Sequence, residues 1–164
     1  MKPVVLAAAG AAFLLAACSD GSESEDTVYR SEEGSITTSG EGDDATTVIE
    51  GADGSGAVVG AGAAGAVSGP EWARPYPGSR IVSAIDIPAE GGGMTTFETD
   101  ANPDTIIAYY RERAEDAGLP AGATMESGDM RQYAAQADNG QALTVMVTPN
   151  EGRSSVNVTW QAGS

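Results

Sequence analysis

Histidine is absent from the 164 residues, cysteine occurs once, at Cys18, and lysine once, at Lys2. Each scarcity closes a class of chemistry. Without imidazole the chain cannot assemble a Ser-His-Asp triad or a Cys-His pair of its own. A single cysteine rules out a disulfide within the chain. With no histidine beside it, it also rules out a structural zinc site, which draws on several Cys or His ligands. No metal and no cofactor are expected. Basic residues are scarce as well: eight against 24 acids, a net charge of −16. That balance argues against nucleic acid, whose phosphates require a basic patch. It argues equally against a polybasic grip on anionic headgroups. Beyond residue 17 the balance is seven arginines against 24 acids, or −17. Such a surface favours solubility and attracts cationic partners.

Long apolar runs are scarce too. One occupies residues 4–15, behind Met1, Lys2 and Pro3. Its twelve residues fall short of the ~20 that span a bilayer. They suit the apolar region of a secretory signal, with a positive residue before it and small residues after it. The segment ends Leu15-Ala16-Ala17-Cys18, followed by the polar Ser19-Asp20. This arrangement closely resembles the lipobox signal of bacterial lipoproteins. The resemblance implies a diacylglycerol thioether on Cys18, cleavage before Cys18, and a membrane partner reached through the lipid. Two or more acyl chains make a stable anchor, at ~0.8 kcal/mol per buried CH₂. By the sorting rule of enteric bacteria, Ser19 after the cysteine implies the outer membrane, facing the periplasm.

Residues 19–71 carry 12 acids and one base, Arg30, among Ser, Thr, Gly and Ala. Low hydrophobicity with high net charge reads as a chain that does not order itself. Residues 18–71 are therefore expected to be the lipidated cysteine and a flexible tether. Two β-branched stretches interrupt it, Ser35-Ile36-Thr37-Thr38 and Thr46-Thr47-Val48-Ile49-Glu50, able to pair as a hairpin. The run at 54–69 has glycines spaced as GxxxG at Gly56/Gly60 and Gly65/Gly69. Its glycine and serine content favours a flexible linker over a membrane helix.

Regular patterning begins near Trp72, so residues 1–17, 18–71 and 72–164 divide into signal peptide, tether and domain. Residues 81–87 alternate, placing Ile81, Ser83, Ile85 and Ile87 on one face. Pro88 stops that strand, 89–93 turn, and 94–99 return. Asn102-Pro103-Asp104 caps a helix that carries an apolar stripe of Ile107, Tyr110, Ala114 and Ala117. Gly118 and Pro120 end it. Strands follow at 123–127, 130–137, 143–148 and 155–160, with Asn139-Gly140 as a hairpin turn. The expected fold is α+β: a small antiparallel sheet, ββα then three or four strands, with one helix packed on a face.

Tyr76-Pro77-Gly78, the hairpin, Phe97-Glu98-Thr99-Asp100 and Ile107-Ala108-Tyr109-Tyr110-Arg111 are similar to a pattern in small uncharacterised lipoproteins of alphaproteobacteria. That resemblance bears on fold and transfers no activity.

Candidate chemistry is sparse. Asp100, Asp104, Asp129 and Asp138 sit near element ends, where capping and turns account for each, so a carboxylate hydrolase is the weakest reading. Trp72, Tyr76 and Tyr109 are the residues expected to line a ligand groove, since rings stack on apolar or sugar ligands. Arg111 and Arg113 could hold an anion in so acidic a chain, but Arg111 is expected instead to pair with Glu115 along the helix. The leading expectation is a membrane-anchored envelope lipoprotein with a non-enzymatic binding or structural domain and an envelope protein as partner. The alternative is an acidic binder or inhibitor of cationic proteins or peptides.

Overall fold

The computed structural model describes residues 26–40, 45–67, 69–120 and 122–163; Cys18 and the signal segment lie outside them. The helix is the element most completely specified by local chemistry. α1 runs Pro103–Asp116, with the Asn102 side chain accepting from the Thr105 amide at 2.9 Å. At its other end Gly118 adopts φ +78°, the Gly118 amide donates to the Glu115 carbonyl, and the Leu119 amide donates to the Ala114 carbonyl. That pair of bonds is a Schellman ending, and it places Leu119 in the core.

Among the described residues ten strands form one sheet: β1 Thr27–Ser31, β2 Gly34–Ser39, β3 Thr46–Gly51, β4 Gly56–Gly60, β5 Arg80–Ile87, β6 Gly92–Thr99, β7 Ala123–Ser127, β8 Met130–Gln136, β9 Gln141–Asn150 and β10 Arg153–Ala162. Their order is β1-β2-β3-β4-β5-β6-β10-β9-β8-β7, antiparallel at every pairing. From β5 onward this is the expected ββα and four strands. A one-helix α+β architecture holds, on a larger sheet than expected.

The tether expectation is corrected for residues 27–60, which form β1 to β4. The expected hairpin is real: Ile36 faces Ile49 and Thr38 faces Thr47 across β2 and β3. Net charge misleads here because it averages over the segment. Of the acids at 19–71 that are among the described residues, Asp26, Glu32, Glu33, Glu50, Asp53 and Glu71, only Glu50 lies within a strand. The linker expectation at 54–69 is corrected likewise: β4 is followed by a 3₁₀ helix, Ala61–Ala66, whose Ala63 is fully buried. Two details of the hairpin β5–β6 also differ. A bulge between Ile81 and Ser83 turns Ile81 towards Phe97, while Ser83, Ile85 and Ile87 face the other way. And β6 begins at Gly92, not Met94. Gly93 lies opposite Trp160, and a Cβ there would collide with the indole.

Residues opposite one another in antiparallel strands share a face, so the registers sort the sheet into two. The face carrying Phe97, Tyr133, Leu143, Val145, Val147, Val156 and Val158 is packed under α1 and is fully buried at these positions. The other face has no helix on it among the described residues. Burial of the first face and of Ile106, Ile107, Tyr110 and Ala114 on α1 makes a single core.

Candidate functional site

The chain enters the domain through a short 3₁₀ turn, Glu71–Ala73, whose Trp72 and Ala73 are buried. This turn lies against α1 and is held there from the helix side. The Arg113 guanidinium donates to the Glu71 carbonyl at 2.9 Å and approaches the Glu71 carboxylate at 3.6 Å. Tyr110, one position round the helix from Tyr109, donates its hydroxyl to the Arg74 carbonyl at 2.9 Å. Burial pushes the Tyr110 phenol far above its ordinary value. These two helix side chains clamp the segment 71–76 onto α1.

Between them sits an aromatic ladder. The Tyr76 and Tyr109 rings meet edge to face at 5.0 Å, Tyr109 meets Tyr110 at 5.1 Å, and the Arg113 guanidinium lies 5.1 Å from the Tyr109 ring centre. Such contacts are each worth about 0.5–1.5 kcal/mol beyond burial. Burial raises the Tyr109 phenol, and the Arg113 charge offsets part of that rise. Beside the ladder opens a cleft of about 420 Å³, lined by Glu71, Trp72, Arg113, Asp116 and Ala117. The Arg113 Nε is buried and has no hydrogen-bond partner among the described residues.

The sequence-expected trio is thus brought together in part. Tyr76 and Tyr109 stack on one another, and Trp72 is a core residue whose edge reaches the cleft. Arg113, weighed from sequence only as an anion holder beside Arg111, lines the cleft, as do Glu71 and Asp116, which were not singled out. Arg113 follows Tyr109 by one helical turn, a spacing that signals adjacency. Its contact with Glu71 spans 42 positions and leaves no local trace. Arg111 does not pair with Glu115; it reaches Thr124 on β7 at 3.0 Å and lies 5.9 Å from the Tyr133 ring centre. Of the carboxylates considered for catalysis, Asp100 pairs with Arg153 at 3.0 Å and Asp104 with Arg131 at 3.3 Å. None of the four lines the cleft. Among the described residues no three acids, cysteines or histidines are grouped to hold a metal ion. No described helix is long and apolar enough to cross a membrane.

The segment from β5 through β10, with α1 folded over one face, matches a family model described as START domain-like over residues 82–163. The chain belongs to the START domain-like family. The matched part of this START-like chain contains α1, β6 to β10 and all of β5 after its first two residues. The strands β1 to β4 and the cleft's Glu71 and Trp72 precede it. Comparison with curated proteins and with solved structures found no significant match.

Proposed function

We propose that the chain is a lipid-anchored protein of the bacterial cell envelope, tethered through Cys18, whose START-like domain binds a ligand in the cleft beside α1 and does not transform it. The observation that supports this most directly is Arg113. Its guanidinium is held by Glu71 and Tyr109 at a cleft that Trp72 and Ala117 also line. That combination suits a molecule with an apolar body and one hydrogen-bond acceptor. The rim acids Glu71 and Asp116 disfavour a ligand of high negative charge.

Anchor and cleft are tested separately. Labelled palmitate should enter the wild type and not Cys18→Ser; equal labelling would sink the anchor. For the cleft, anilinonaphthalene sulfonate supplies an apolar body and an acceptor. Arg113→Gln should weaken its binding about tenfold or more, the worth of a charged hydrogen bond. Unchanged affinity would remove the cleft from the reading.

A second reading, an acidic binder of cationic proteins, draws on the exposed Glu112, Glu115 and Asp116 along α1 and on the net charge of −16. Its association rate should fall steeply with salt, whereas capture of a partner indifferent to salt counts against it.

A further inference from the structure

In a chain with 24 acids, one surface has been kept free of charge. On the sheet face turned away from α1, the registers place no charged residue from any of β1 to β4. Arg30 and Glu50, the charged residues of those strands, both project from the opposite face. Across β5 to β10 the uncovered face carries charge only at one end, where Arg80 and Arg153 both pair with Glu98, at 2.9 and 3.5 Å. Of the seven large apolar side chains exposed among the described residues, four lie on that charge-free part, Met125 and Met146 lie on the rest of the uncovered face, and Val28, 47% exposed, lies on the opposite face of β1. Tyr29, Ile36 and Ile49 line up across neighbouring strands, 68%, 42% and 42% exposed, with Val59 beside them at 45%.

We infer that this face of β1–β4 lies against the lipid bilayer; the inference rests on the anchoring reading. Nine peptide steps separate Cys18 from Thr27 at the start of β1, a reach of about 30 Å even when fully extended. An acyl chain on Cys18 therefore confines β1, the edge of the sheet, to the neighbourhood of the membrane. A weak apolar contact suffices there, because tethering raises the effective concentration of the face at the surface. The exclusion of charge fits the same occupant. A carboxylate pressed onto headgroups and acyl chains would lose its hydration, and this face has none to lose. Tyr29 has the amphipathic ring that settles at a membrane–water boundary. The contact is apolar, so salt does not weaken it.

The test compares two adjacent positions on β1 that share one distance from the anchor and point to opposite faces. The acylated protein is placed on phosphatidylethanolamine–phosphatidylglycerol vesicles containing brominated acyl chains. With wild-type emission subtracted, tryptophan in Tyr29→Trp should be quenched at least about threefold more than in Val28→Trp, as expected for a face buried in the headgroup boundary. Equal quenching while the protein floats with the vesicles overturns the inference and leaves the anchor standing. Failure to float and to take up palmitate overturns the anchor, and the inference with it. A cross-linked dimer on vesicles with Tyr29→Trp unquenched assigns the face to a second copy and overturns the inference. A photoactivatable phospholipid gives the same answer on the unsubstituted chain. Adducts should fall on Tyr29, Ile36 and Ile49; adducts confined to residues 19–26 overturn it.

Discussion

The two halves of this sheet share one hydrogen-bonded ladder and little else. From β5 to β10 the strands are longer, apart from the five-residue, exposed edge strand β7, reaching ten residues in β9 and β10, and one face is sealed by α1. From β1 to β4 the strands have five or six residues, and every residue of β1 is exposed. Both halves satisfy their backbone groups in the same way. The difference is what the side chains bury, and burial rather than hydrogen bonding supplies most of the net stability of a domain. The β1–β4 half should therefore open locally at low cost, while the rest unfolds as one unit.

The largest expected effect puts that contrast to the test with one pair of substitutions. Phe97 is fully buried on β6, so Phe97→Ala should cost about 3–5 kcal/mol of unfolding free energy. Ile49 on β3 is 42% exposed, so Ile49→Ala should cost about 1 kcal/mol or less. Denaturant titration measures both, and similar losses would break the comparison. Amide hydrogen exchange sharpens it: β2 and β3 amides should exchange far faster than those of β9 and β10.

Next in size comes Gly93→Ala. The added methyl would press on the Trp160 ring and the Ile85 carbonyl across two strand pairings. Overpacking of this kind costs about 1–3 kcal/mol. Thermal unfolding would show it, and a neutral result would mean that Trp160 can leave its seat freely.

How far each half could be read from the sequence follows the same division. α1 was legible at both ends because Asn102-Pro103-Asp104 and Gly118-Leu119-Pro120 act within one turn. β8 to β10 were legible because alternation at Leu143, Val145 and Val147 coincides with an Asn139-Gly140 turn. In β1 to β4 the alternation at Ile36 and at Val48-Ile49 was visible. Its meaning was hidden by the many acids of the segment, although among the described ones only Glu50 lies in a strand. The bulge after Ile81 depends on register with β6, which no local pattern reports. The site divides likewise. Tyr109 and Arg113 are neighbours by helical spacing, whereas Glu71 reaches Arg113 only through the fold.

Asn102→Ala isolates what holds the cover over the buried half. The side chain accepts from both the Thr105 amide and the Thr105 hydroxyl, at 2.9 and 3.0 Å. Its loss should cost about 1 kcal/mol, read as a lower denaturation midpoint. Exchange in β1 to β4 should be unchanged, because α1 does not cover them.

The smallest effect at neutral pH is expected for Tyr110→Phe, and it grows with alkali. The Tyr110 ring stays buried as phenylalanine, and the Arg74 carbonyl it leaves belongs to an exposed residue. The loss should therefore be near the low end of about 0.5–1.5 kcal/mol. Burial raises the phenol of folded Tyr110 above its ordinary value near 10. The unfolded chain thus releases this proton first, and stability is intact below pH about 10 and falls as pH rises beyond it. Tyr109 and Tyr133, whose phenols burial also raises, act in the same direction. Stability measured at pH 9 and pH 11 should accordingly drop less in Tyr110→Phe than in the wild type, so the two chains converge in alkali. Equal drops would show that the segment 71–76 leaves α1 before the core opens. The clamp on the cleft would then belong, energetically, with the loosely held half of the sheet.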